Sequence, residues 1–257
     1  MNIFVLLKST FDTEEKIEIR DNRIDDEAAE LIINPYDEYA VEEAVKQRDT
    51  HGGEVTIISV GGERSEKQIR TALAMGADKG VLINIQDDLE EPDQFTTVRL
   101  LQAFFEDKEV DLILAGNVAI DNASGQVGPR LADKLNLTCI TTITSLTIDG
   151  GVASIERDVE GDTEIIETHL PLLATCQQGL NEPRYPSLPG IMKAKKKPVD
   201  ELELDDLDLE EEDVAPKTKT IEVFLPPERK AGKLLEGEVT EQVQELVSLL
   251  KHEAKII

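Results

Sequence analysis

Positive charge is scarce in this 257-residue chain: 27 Lys and Arg stand against 54 Asp and Glu, a formal net charge of −27. So acidic a body repels phosphate backbones, which excludes general nucleic-acid binding and leaves only a local basic patch to act against the field. Cysteine is sparser still. Cys139 and Cys176 cannot build a disulfide framework and suit a reducing compartment. Long hydrophobic runs are missing too. The apolar run at residues 3–7 has no basic region before it and is too short for a signal segment or a membrane span. The expectation is a cytoplasmic protein with no direct membrane insertion. Core material is present in quantity: 40% of residues are hydrophobic, enough for a packed interior in one or two domains.

The motifs of common enzymes are also missing. There is no GxxxxGKS loop, and no GxGxxG follows an apolar run. No serine sits in a GxSxG turn. His51 and His252 lie in polar contexts, His169 lies in a predicted strand, and none has a companion at metal-ligand spacing. This inventory predicts no catalytic residue and no metal site.

Short Val/Ile/Leu runs alternate with amphipathic stretches through the first half, the pattern of parallel β-α-β units. Strands are expected at residues 3–7, 55–60, 80–85 and 110–115, with little polar alternation because helices cover both faces. Asn34-Pro35 reads as an N-cap followed by proline at the first helical position. Further helices are expected over 63–75, 92–106 and from about Asn122 or Ser124 to Leu135. The fold class is α/β, a doubly wound and mostly parallel sheet of Rossmann-like type. Residues 137–148, 152–157 and 165–173 read as strands separated by Gly-containing turns, extending or flanking that sheet rather than forming a separate all-β domain. The chain divides into an α/β domain at 1–192 and an arm at 193–257. The arm holds an acidic tract, ten carboxylates within 200–213, and a short helix at 239–250.

One segment invites a nucleotide. The strand at 110–115 runs through Gly116 and Asn117 into Ala119, Asp121, Asn122, Ser124, Gly125, Gln126, Val127, Gly128 and Pro129. A strand leading through small residues into a helix start offers free N–H groups and a positive helix end to a phosphate. Ordinary helix capping accounts for the same residues. The Asn34-Pro35-Tyr36-Asp37 start carries the same two readings, but both lie where ligands collect on open α/β sheets.

A second segment, 181–198, combines four prolines, an apolar tip at Leu188 and four lysines within five positions. Such a cluster is ordinarily a solvated surface run. Here it departs from the composition of its own chain, and a proline-stiffened apolar tip docks at low entropic cost.

That run, NEPRYPSLPGIMKAKKKP, resembles the β subunit of electron-transfer flavoprotein, as do Ile155-Glu156-Arg157, the helix opening at Asn34-Pro35-Tyr36-Asp37, the RTALAMGAD run from Arg70 and the GQVG at 125–128. The likeness extends over nearly the whole chain. It implies a heterodimer with an α subunit and FAD held mostly by that subunit. It also implies a structural AMP in this one, contacted by Leu6, Asn34, Pro35, Tyr36, Asp37, Val60 and the residues from Ala119 to Pro129 named above. Tyr36 and Phe11 fall in stretches that approach the flavin in relatives. Tyr185, Pro186, Leu188, Pro189, Ile191, Met192, Lys193, Lys195 and Lys196 would meet partner proteins. The family accepts electrons from acyl-CoA and other flavin dehydrogenases and delivers them to a quinone reductase or similar acceptor, and its C-terminal arm wraps the α subunit. Two other readings remain: a bifurcating flavoprotein with a second FAD in place of AMP, and a nucleotide-hydrolysing or adenylating α/β enzyme.

Overall fold

The computed structural model describes residues 1–25, 29–85, 92–227 and 231–257. The chain opens with β1 (Asn2–Leu6), β2 (Ser9–Phe11), β3 (Glu18–Arg20), β4 (Arg23–Asp25) and β5 (Leu31–Ile33), then α1 (Pro35–His51). β6 (Glu54–Gly61), α2 (Glu66–Met75), β7 (Lys79–Asn84), α3 (Gln94–Phe105), β8 (Leu112–Gly116) and α4 (Val127–Leu135) follow. Next come β9 (Thr138–Asp149), β10 (Val152–Val159), β11 (Asp162–His169), β12 (Leu172–Cys176), α5 (Leu188–Ala194), β13 (Val199–Leu202), α6 (Glu211–Val214) and α7 (Val239–Leu249).

Nine strands form one sheet in the order β11-β10-β9-β12-β8-β1-β6-β7-β13. From β9 to β13 all neighbours are parallel, while β10 pairs antiparallel with β9 and β11. The expected doubly wound α/β sheet is therefore present. Side chains alternate across β1: Ile3 and Val5 join the core under α1 and α2, and Phe4 and Leu6 join the core under α3 and α4. With a core on each face, both alternating sets of the central strands are apolar. Phe4, Phe104 and Phe105 pack edge to face, with centroids 5.1 to 6.3 Å apart.

Three expectations shift. The fourth helix begins at Val127, because Ala123 (φ 50°) and Gly125 (φ 58°) adopt left-handed backbone that no α-helix accommodates. The strand expected over 165–173 divides at Leu170-Pro171, where proline has no N–H for a ladder. Its second part, β12, lies between β9 and β8 inside the sheet. The compact unit runs from Met1 to Ile221, whereas the sequence reading ended the α/β domain at residue 192. β13 pairs with β7 at the sheet edge, and Leu204, Leu209 and Val214 bury their side chains in the α3–α4 core. The acidic tract thus anchors through its apolar residues while most of its carboxylates face solvent.

The second unit, Glu222–Ile257, contains α7. Val243, Leu246 and Val247, spaced i, i+3 and i+4, are exposed along it. Among the described residues no helix is long and apolar enough to cross a membrane.

Candidate functional site

The carboxyl ends of β1, β6 and β8 open onto a cavity of about 220 Å³. The chain leaves β1 toward β6 on one side and later inserts β8 on the other, so the strand order reverses here and a crevice forms. Leu6, Ile58, Val60, Ala115 and Leu101 supply apolar wall, and Lys8, Asn34, Asp37, Asp93, Asn117, Asn122, Ser124 and Gln126 supply polar lining.

Asn34 and Asp37, at the start of α1, tie the two sides of the crevice together. The buried Asp37 carboxylate accepts from the Lys8 N–H (2.7 Å), the Gly116 N–H (2.9 Å) and Asn34 Nδ2 (3.0 Å). Burial pushes its pKa up to about 7, against the lowering effect of those donors. Asn34 is the N-cap of α1 with Pro35 directly after it, as expected, but its side chain makes no capping hydrogen bond. Its Nδ2 donates to the Val118 carbonyl (2.9 Å) and its Oδ1 accepts from the Ile120 N–H (3.2 Å). A Cβ on Gly116 would fall 2.2 Å from Asp37 Oδ1, so only glycine lets β8 approach α1 this closely.

Residues 117–126 then cross the mouth of the crevice into α4. The side chain of its N-cap residue, Gln126, makes no capping hydrogen bond, so the first-turn N–H groups are open to other partners. Gln126, Val127 and Gly128 line the crevice there. Asn122 Oδ1 accepts from the Ser124 N–H (3.1 Å), shaping the turn before Gly125. A Cβ on Gly128 would meet Thr175 Cγ2 at 2.8 Å, so this glycine also lets α4 pack on β12.

Eleven of the fifteen expected nucleotide residues line this one cavity: Leu6, Asn34, Asp37, Val60, Ala119, Asn122, Ser124, Gly125, Gln126, Val127 and Gly128. Pro35 and Tyr36 form the first turn of α1, Pro129 lies within α4, and Asp121 pairs with Lys8 Nζ on the rim, 2.5 Å away. Lys8, Asp93 and Val118 also line it without having been expected there, and so does Asn117, which the sequence places in the segment but not among the contacts. Position after the carboxyl end of a strand was the signal for Lys8, Asn117 and Val118. Asp93 caps α3 through the Thr96 N–H and its other oxygen holds the Lys217 and Thr218 N–H groups. Against the opposing effect of burial, these bonds hold its pKa down at about 2.

The segment after β12 forms a second feature. Residues 188–194 make the short helix α5, whose N-cap Ser187 Oγ accepts from the Gly190 N–H (3.1 Å). It packs on α2. Tyr185, Leu188 and Met192 stand 95%, 74% and 67% exposed, and Leu188 and Met192 share a face at i, i+4 spacing. Ile191, Pro189, Lys193, Lys195 and Lys196 are exposed beside them, and Pro186 lines a groove between α5 and α2. Lys197 is different. Its ammonium donates to the carbonyls of Leu73 and Ala77 at the end of α2, and burial lowers its pKa.

The model of the electron transfer flavoprotein domain matches residues 21–207. The electron transfer flavoprotein subunit beta of Bacillus subtilis (strain 168) is 66% identical over 257 residues, covering all of both chains. The chain belongs to the β subunits of the electron transfer flavoproteins. The β subunit of Syntrophomonas wolfei is 39% identical over 257 residues, all of this chain and 98% of the relative. That of Homo sapiens is 35% identical over 260 residues, all of this chain and 99% of the relative. The process an electron transfer flavoprotein β subunit serves is electron transport, and its crevice and displayed α5 segment are the features to set against that role.

Proposed function

We propose that this chain is the β half of a cytoplasmic heterodimer with an electron transfer flavoprotein α subunit. The complex accepts electrons from acyl-CoA and other flavin dehydrogenases and passes them to a quinone reductase or similar acceptor. FAD, held mainly by the α subunit, supplies the one- and two-electron chemistry when bound. This chain then acts as a carrier subunit, with no acid, base or nucleophile of its own to provide. Its crevice takes a structural AMP, and the uncapped start of α4 opening onto that crevice is the observation that carries this reading. The residues fit such a ligand. Leu6, Val60 and Leu101 offer apolar surface to a base, while Asn122, Ser124, Gln126 and the N–H groups of Val127 and Gly128 offer donors to a phosphate.

Tyr185, Leu188 and Met192 form an apolar tip that enters a pocket on the dehydrogenase, and Lys193, Lys195 and Lys196 steer encounter with acidic surfaces. The C-terminal segment, with the apolar stripe of α7, packs on the α subunit.

The test is to co-express the chain with its α partner, denature the purified complex and quantify the nucleotides released. One FAD and one AMP per heterodimer is the expected result. Two FAD and no AMP would replace it with a bifurcating flavoprotein, and ATP turnover by this chain alone would replace it with an enzyme.

A further inference from the structure

The crevice is poor in cations. Among the described residues lining it, Lys8 is the only Lys or Arg, and it shares the lining with Asp37 and Asp93. An anion entering meets those carboxylates, the Asp121 carboxylate on the rim and the field of a chain at −27. Against them stand the Lys8 ammonium and the N-terminal end of α4.

The two parts of Lys8 are held differently. Its backbone N–H is fixed by the buried Asp37 carboxylate at 2.7 Å, so the base of the side chain is anchored. Its ammonium pairs with Asp121 at 2.5 Å, where the two side chains are 41% and 23% exposed. A pair this exposed is worth little, and a lysine head on a four-carbon stem changes partners easily. A phosphate carries more charge than Asp121 and presents three acceptor oxygens.

We infer that Lys8 selects a phosphorylated nucleotide over the matching nucleoside, giving up Asp121 for the ligand's phosphate. The inference rests on the nucleotide reading of the crevice and deepens it. Asp121 parks the ammonium over the mouth and competes with the phosphate for it. A neutral nucleoside gains nothing from Lys8, whose charge adds to the donors at the start of α4 in favouring the phosphorylated ligand.

The experiment titrates the nucleotide-stripped heterodimer with AMP and, separately, with adenosine, followed by calorimetry. Lys8→Gln weakens AMP binding about tenfold or more, because a charged hydrogen-bond donor is lost, while adenosine binding stays within about twofold. Lys8→Arg keeps the preference for AMP, and Asp121→Asn tightens AMP because the competitor is gone. Equal losses of AMP and adenosine in Lys8→Gln would reduce Lys8 to a structural part of the wall and overturn the inference. So would unchanged AMP binding in that variant, or weaker AMP binding in Asp121→Asn. A wild-type heterodimer that neither retains nor takes up AMP sinks the nucleotide reading itself, and is seen before any variant is made.

Discussion

Arg184 grips Glu42 with a two-pronged hydrogen-bonded pair, Nε to Oε2 at 2.7 Å and Nη2 to Oε1 at 2.8 Å, and its backbone N–H donates to Oε2 at 3.2 Å. Three residues earlier, Asn181 Nδ2 donates to the Tyr39 carbonyl (3.0 Å) and to buried Glu43 (3.2 Å). Two adjacent glutamates of α1 therefore hold both ends of the Asn-Glu-Pro-Arg run. The residues that follow, Tyr185 to Met192, project from a fixed base, so the proposed docking would cost them less entropy.

Glu42→Ala removes the fork and leaves Asn181 in place. Amide exchange over residues 181–187 accelerates, while global stability falls by only about 1 kcal/mol because Arg184 is partly exposed. Exchange at the wild-type rate would show that the fork does not anchor the segment.

Leu188→Ala truncates a side chain with little packing to lose, so stability stays within about 0.5 kcal/mol of wild type. FAD and nucleotide content of the heterodimer are unchanged. Electron acceptance from the dehydrogenase slows at sub-saturating concentrations, as stopped-flow flavin absorbance would register. Unaltered kinetics would remove Leu188 from the docking surface.

Gly125→Val acts through the backbone more than through bulk. The nearest atoms to a Cβ there are 3.5 Å away, but φ is 58°, and a β-branched residue in that region costs about 1–2 kcal/mol. The turn into α4 shifts and nucleotide content falls, measurable by chromatography of the denatured heterodimer. Full AMP content would locate the phosphate elsewhere.

Asp37 gives stability an inverted pH slope. Its carboxyl titrates near 7 in the folded chain against 3.8 ordinarily, so the native state binds the proton more tightly. Its contribution is therefore lost as pH rises from about 4 to 7, by up to roughly 4 kcal/mol. In denaturant melts between pH 5 and 8, wild type minus Asp37→Asn declines with rising pH. A flat difference would contradict the burial penalty.

The parallel sheet and its helices were legible because uniform Val/Ile/Leu runs and capped amphipathic stretches are local signals. The NEPRYP segment was legible as a motif but not as a helix, since α5 is too short to show a period and depends on packing against α2. Four adjacent lysines look alike in sequence. Only the end of α2 distinguishes Lys197, which binds two of its carbonyls, from Lys193, Lys195 and Lys196, which face solvent. Residues past 192 look like an arm in the sequence because the acidic tract hides three buried residues, Leu204, Leu209 and Val214, among its carboxylates.

Composition and local pattern were enough to settle the fold class, the region of the crevice and the apolar tip beside the lysines, because each depends on neighbours in the chain. The crevice chemistry was not local. Asp37, Lys8, Gly116 and Asp121 come from three separated segments, and their charges take meaning from burial and from one another. A carboxylate holding N–H groups 29 and 79 residues away, and a lysine left as the cation of an acidic cleft, exist only after the sheet has brought those strand ends together.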